Sequence, residues 1–207
     1  PFNPYWSAMD GITPLSKMTA DVNGAKTILE QAGYTSINSY GYRCSSRKSL
    51  TCSLTVCKDN EFKVAAAKQI KEQLAKLNFN VKIVELSYKD YTQAIADGNY
   101  DMYLGELKIP ANMNISQFFT ENSITNSAIT LVDQNENTFT VCAAEYRNML
   151  AGSMSMSDFC NLFEKEMPFV PVCYRSGIEI YSRKISSQTN STCYDNFCNI
   201  GSWTVKT

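Results

Sequence analysis

An α/β fold is predicted for this chain: a mixed, largely parallel sheet flanked by helices. Two observations carry the prediction. From Leu50 to Leu107 the hydrophobic period switches between strand and helix in the order β-α-β-α-β. Start and stop residues then fall at the joints, with Asn78 and Gly98 ending helical runs and Ser87 opening one.

Residues 1–20, with Pro1, Pro4, Tyr5, Trp6 and Pro14, show no helical period and read as an extended segment laid over a surface. Asp21 or Asn23 opens a helix striped by Val22, Ala25, Ile28, Leu29 and Ala32, and Gly33 ends it. Tyr34 to Ser49 has the composition of a polar loop or irregular hairpin. Leu50 to Cys57 alternates as a strand, with Cys52, Leu54 and Val56 on one face. The helix after Asn60 carries Phe62, Ala66, Ile70, Leu74 and Leu77 on one stripe, with Lys63, Lys68, Lys71, Glu72 and Lys76 largely elsewhere.

Val81 to Leu86 alternates as the next strand except at the Ile83-Val84 step. Ser87 and Asp90 form a capping-box-like start, Tyr91, Ala94 and Ile95 line the helix, and Gly98 stops it. Asp101 to Leu107 is the following strand. Lys108 to Gln134 reads as a long loop with a helical turn, and a loop of that length inside a compact domain is more often functional or mobile than idle. Thr138 to Ala151 reads as a helix striped by Phe139, Cys142, Tyr146 and Leu150. Ser157 to Glu166 is another helix, halted by Met167-Pro168. Phe169 to Arg175 and Ile178 to Ser182 look like strands around Ser176-Gly177, and the last twenty residues show no clear period.

The totals narrow the function. At 207 residues there is material for one substantial core, or a core with a small appendage. A net charge of −1 gives no reason to expect a nucleic-acid partner. No apolar run approaches the roughly 20 residues that span a bilayer. The start at Pro1 shows no signal-peptide pattern, as expected of a cytoplasmic protein or of a piece of a longer one. Histidine is absent, which removes Ser-His-Asp and Cys-His nucleophile pairs, histidine bases and histidine-based zinc sites.

There are eight cysteines. Cys142, Cys160 and Cys173 lie in apolar patterns and read as small buried hydrophobes. Cys193 and Cys198 bracket a short polar segment in which a loop disulfide is plausible. Cys52 and Cys57 point to opposite faces of a straight strand and do not suit a bridge. No CxxC pair supports a zinc site.

Four segments, in order, resemble the family 5 extracellular solute-binding proteins, the peptide-, dipeptide- and nickel-type receptors of ABC importers. Ala25 to Tyr34 resembles the helix that opens their second lobe. Ala67 to Ile83 resembles their helix-to-strand passage. Tyr91 to Met102 resembles the next helix and strand, and Phe163 to Tyr174 the late helix and the strand with two prolines.

The resemblance implies one lobe of a type II periplasmic-binding-protein-like fold. It implies residues 1–20 as a hinge or inter-lobe segment, 21–185 as the ligand-binding C-terminal lobe, and 186–207 as a return segment toward a missing N-terminal lobe. It implies ligand binding rather than catalysis, with no cofactor and no metal. The partners would be a peptide or other small solute, a membrane permease and the missing lobe. The location would be extracellular, at the cell surface through a lipid anchor in a missing N-terminal part, or periplasmic. In many relatives a Gly-Trp pair ends the strand that walls the ligand, and peptide binders place an Asp soon after. Here Gly105 is followed by Glu106, whose carboxylate is the candidate replacement.

The expected contact set is Tyr103, Glu106, Lys108, Asn112 and Asn114, with Arg175 farther off, because such clefts set a few oriented polar groups against an apolar or aromatic wall. Arg175 is suited to a bidentate carboxylate contact. Tyr40, Tyr42, Tyr88 and Tyr91 read as packing or surface groups. Two alternatives stand beside this reading. One is a secreted interaction or adhesion module using the Tyr34 to Ser49 loop and the Asn-rich loop, with Asn114-Ile-Ser and Asn190-Ser-Thr as sequons. The other is a carboxylate hydrolase using Asp101 and Glu106, which an odd spacing on a strand would turn to opposite faces.

Overall fold

In the computed structural model, the residues described are 20–106, 115–119, 130–132, 138–140, 142–166, 169–173, 180–187, 189, 195 and 197–206. They fall into two units, the first running from Lys17 to Leu107.

The first unit opens with α1 (Val22–Gln31), capped by the Asp21 carboxylate, which accepts from the Asn23 and Gly24 amides. Gly33 closes it at φ +89°, a left-handed conformation that costs glycine little. A small antiparallel pair follows, β1 (Ser36–Ile37) with β2 (Arg43–Cys44). The buried Arg43 guanidinium joins three segments: it donates to Tyr34 O at 2.9 Å and Leu77 O at 3.3 Å, and pairs with Glu30 at 3.4 Å.

The main sheet has three parallel strands, β3 (Thr51–Cys57), β4 (Asn80–Leu86) and β5 (Met102–Tyr103), in the order β4-β3-β5. α2 (Glu61–Ala75) links β3 to β4, and α3 (Tyr88–Ala96) links β4 back across β3 to β5. The chain reverses direction between the two crossovers, so right-handed connections put the helices on opposite faces. Accordingly Leu54, Val56, Val81, Ile83, Met102 and Leu104 pack with Val64, Ala67, Ile70 and Leu74 of α2. Ser53, Thr55, Val84 and Leu86 share the other face with Ala94 of α3. The Ile83-Val84 step that broke the alternation thus supplies one apolar residue to each face.

Two expectations need correction here. Phe62 is 53% exposed, so the buried stripe of α2 is rotated onto Val64, Ala67, Ile70 and Leu74. Of the strand expected from Asp101 to Leu107, Leu107 lies outside the described residues, and the described residues 101–106 are regular only at Met102–Tyr103, although the Leu104 amide still donates to Thr55 O at 3.0 Å. Before it, the Asp101 side chain takes the bond that a ladder carbonyl would make with the Ser53 amide, and after it Gly105 supplies no side chain to pack.

In the second unit a 3-10 turn (Ser116–Phe118) precedes an antiparallel pair, β6 (Thr130–Val132) with β7 (Thr138–Thr140), and then α4 (Ala143–Leu150) and α5 (Met156–Glu166). Its core is aromatic: Phe119, Tyr146, Phe159 and Phe163 are buried with Ile115, and Phe118 and Phe169 pack against them. Rings meet edge-on or tilted, as at Phe119–Phe159, 5.5 Å and 84°.

The helix expected from Thr138 begins only at Ala143. Phe139 belongs to β7, and Cys142 sits at φ +58°, a conformation that interrupts a helix. Leu150 is 65% exposed rather than part of the stripe. Phe169 to Cys173, expected as a strand, is irregular, and so is 180–187 apart from a bridge between Ile185 and Val205. Cys173 is exposed, against the expectation of burial, whereas Cys142 and Cys160 are buried. Cys198 carries a free thiol, as do the other described cysteines, and Cys193 lies outside the described residues. Among the described residues no helix is long and apolar enough to cross a membrane.

Candidate functional site

Helices that cross opposite faces of a parallel sheet diverge at the carboxyl ends of the strands, and such sheets open a crevice there. In this chain that edge is formed by the segments after Cys57, Leu86 and Tyr103. Asp59 follows β3, and its carboxylate accepts from the Tyr88 amide at 2.8 Å, adding a cap to α3. Asn60 caps α2 through the Lys63 amide at 3.1 Å. Ser87 caps α3 through the Asp90 amide, and its hydroxyl donates to the Asp90 carboxylate at 2.6 Å.

These caps set the first turns of α2 and α3 at one edge, where Lys63 and Tyr91 meet. Lys63 Nζ lies 6.0 Å from the Tyr91 ring centroid and 3.5 Å from Glu106 Oε2. The Lys63 side chain is only 13% exposed and that of Glu106 44%. Tyr91 is buried, and its hydroxyl donates to Leu104 O at 3.0 Å, fixing the chain just before Gly105 and Glu106. Burial pushes the Tyr91 hydroxyl well above the usual phenol range, with Tyr103 and Cys57 adding to the effect.

Tyr103 faces the α3 side, opposite Thr55 in register. Its ring meets Tyr100 edge-on at 4.8 Å, and a Cβ at Gly105 would come within 3.0 Å of it. Burial, then the neighbouring Tyr100, raises the Tyr103 hydroxyl as well. A groove of about 520 Å³ opens on this same face, lined in part by Thr55, Val84, Gly98, Tyr100 and Asp101.

Of the expected contacts, Tyr103 therefore ends β5 and Glu106 stands in the segment that leaves it, already ion-paired. Lys108, Asn112, Asn114 and Arg175 lie outside the described residues. Asp101 and Glu106 do not converge as a hydrolytic pair would require. Asp101 is bound to Ser53 at the amino end of β5, and Glu106 meets Lys63 beyond its carboxyl end. Tyr40 and Tyr88 are exposed and Tyr91 is a packing group, as the sequence suggested. The residue that sequence reasoning missed is Lys63, which read as part of a solvated face. Its position one turn into a helix that follows a strand's carboxyl end was the signal available.

Fold and edge together describe an open α/β unit with polar groups at the strand ends. The particular family follows from comparison with known proteins. Residues 1–126 match the model of the bacterial extracellular solute-binding proteins, family 5 Middle, and the chain belongs to that family. A search of curated proteins found no match.

Among solved structures, the oligopeptide-binding protein AppA from Bacillus subtilis, in complex with a nonapeptide, aligns with 94% of this chain and 39% of its own, at 15% identity and a TM-score of 0.55. NikZ from Campylobacter jejuni, in complex with Ni(L-His), aligns with 72% of this chain and 31% of its own, at 13% identity and a TM-score of 0.55. A periplasmic oligopeptide-binding protein of an ABC transporter from Thermotoga maritima, with mannohexaose bound, aligns with 74% and 31%, at 17% identity and a TM-score of 0.53. At these identities the likeness is one of fold. The chain spans less than two-fifths of the length of each.

Proposed function

We propose that this chain forms one wall of the ligand cleft in the substrate-binding component of an ABC-type importer, a binding protein rather than an enzyme. The observation that carries the reading is the meeting of Glu106, Lys63 and Tyr91 at the carboxyl edge of a β4-β3-β5 parallel sheet. Family membership over residues 1–126 supports it. Residues 21–185 then make up the ligand-binding lobe, 1–20 the segment entering it and 186–207 the segment returning to an N-terminal lobe. Tyr103 and Glu106 contribute to the wall, and the sequence adds Lys108, Asn112, Asn114 and Arg175. Closure of two lobes on the ligand would present the complex to a membrane permease. The site of action is extracellular, at the cell surface through a lipid anchor in an N-terminal part, or periplasmic.

The ligand is a peptide or another small solute. Similar folds hold a nonapeptide, a nickel–histidine complex and a mannohexaose. The test is native mass spectrometry of the full-length protein purified from its source, followed by identification of the released solute. A bound small solute whose affinity falls about tenfold or more in Glu106→Ala supports the reading. A full-length protein that holds no small molecule, or a bound solute indifferent to Glu106, overturns it.

A further inference from the structure

We infer that the groove on the α3 face of the sheet is a binding site for a short aliphatic primary amine, with Asp101 receiving the ammonium and Val84, Leu86 and Ala94 the alkyl chain. The groove begins at the amino end of β5, whereas the ligand wall proposed above lies beyond its carboxyl end, and neither reading depends on the other. A volume of about 520 Å³ is within the range of small-molecule sites. Its lining is graded. Ser53 and Asp101 stand at one end, and the register sets Thr55 beside Val84 and Cys57 beside Leu86 farther along the strands. From Ser53 to the level of Leu86 is four residues of strand. That is about 13 Å, room for a short alkyl chain running from polar to apolar surface.

Three features fit the polar end to an ammonium. The Ser53 amide and hydroxyl both donate to Asp101 Oδ2, which fixes the carboxylate and leaves Oδ1 without a donor among the described residues. The same bonds hold the group below the usual aspartate range, so it is ionised at neutral pH. The charge is not neutralised from within. Among the described residues Asp101 forms no salt bridge, and Lys82, beside Ser53 in register and exposed, is not within ion-pair distance of it. Tyr100 borders the groove, its ring held edge-on to Tyr103 at 4.8 Å, and offers an aromatic surface to the same cation. One open oxygen suits the point charge of an ammonium, whereas the planar fork of a guanidinium needs both oxygens for its bidentate contact. A divalent cation needs several oxygen ligands, and no group of three acidic or cysteine side chains that could hold one occurs among the described residues.

The probes are n-hexylamine and n-hexanol, measured by isothermal titration at pH 7 on the full-length protein and its Asp101→Asn, Val84→Trp and Glu106→Ala variants. n-Hexylamine is expected to bind at least tenfold more tightly than n-hexanol. Asp101→Asn, which removes the charge, should weaken the amine tenfold or more and leave the alcohol unchanged. Val84→Trp, which fills the groove from β4, should weaken both. Glu106→Ala should alter neither. An unmodified protein that does not bind n-hexylamine, or binds the alcohol equally well, would overturn the inference. So would an Asp101→Asn or Val84→Trp variant, folded by circular dichroism, that keeps full affinity for the amine. A loss found only in Glu106→Ala would place the amine at the cleft wall and overturn it as well. None of these results touches the receptor reading, which is decided by the solute released from the full-length protein.

Discussion

Asp101, the residue before β5, and Ser53 on β3 are joined by two hydrogen bonds to one oxygen. The Ser53 amide and hydroxyl both donate to Asp101 Oδ2, at 2.6 and 2.8 Å. These bonds hold the Asp101 carboxyl below the usual aspartate range, the amide contributing most. The folded chain therefore binds that proton less readily than the unfolded chain does. The stabilisation is present above about pH 4, the unfolded value, and is lost as pH falls through the lower folded value. Asp101→Asn is expected to flatten the acid limb of Tm against pH, and unchanged slopes below pH 4 would refute the link.

Tyr91→Phe removes the donor to Leu104 O while keeping the ring. The expected cost is about 1–2 kcal/mol, because a partly buried carbonyl loses its partner. The raised folded value of Tyr91 adds an alkaline signature. Its contribution is complete below about pH 10, the unfolded phenol value, and declines as pH rises above that. Urea denaturation of both proteins at pH 7 and pH 11 measures the two effects, and equal differences at both pH values would contradict the second.

Thiol chemistry should sort the cysteines by environment. Cys173 is exposed, while Cys142 and Cys160 are buried in the aromatic core. The Cys142 thiol is pushed up to about 11, by burial first and then by Glu145 and Glu166. The thiolate is the reacting species, so iodoacetamide at pH 7.5 is expected to label Cys173 within minutes and to leave Cys142 and Cys160 intact until denaturant is added. Peptide mapping that finds Cys142 labelled first would refute this ordering.

Phe159 is fully buried and meets both Phe119 and Tyr146. Phe159→Ala should cost about 3–5 kcal/mol, through lost transfer energy and the cavity left behind. Asn60→Ala removes a single cap from α2 and should cost about 1 kcal/mol. Equilibrium denaturation that ranks the two variants in the opposite order would count against the assigned core.

Much of the first unit was legible in the sequence because its signals are local. Asp21, Asn60 and Ser87 cap helices, and Gly33 and Gly98 take the left-handed conformation at their ends. Cys52, Leu54 and Val56 share a face because a strand alternates, and all three pack toward α2. The errors have physical causes too. Phe62 belongs to a regular helical stripe, but the rotation of α2 on the sheet is set by what fits against Leu54 and Val56, where Ala67 allows close approach. The helix expected at Thr138 fails at Cys142, whose backbone conformation leaves no mark on hydrophobic period.

By itself, then, the sequence determined the order of strands and helices, their caps and the parallel character of the sheet. Each of these depends on residues a few positions apart. Only the tertiary structure decided which charges at the strand ends are engaged. Glu106 was legible as a carboxylate after a strand, but its pairing with Lys63 arises because two crossovers bring the first turn of α2 to the end of β5. A contact between residues so distant along the chain is fixed by packing and Coulomb attraction, and those act through space rather than through sequence period.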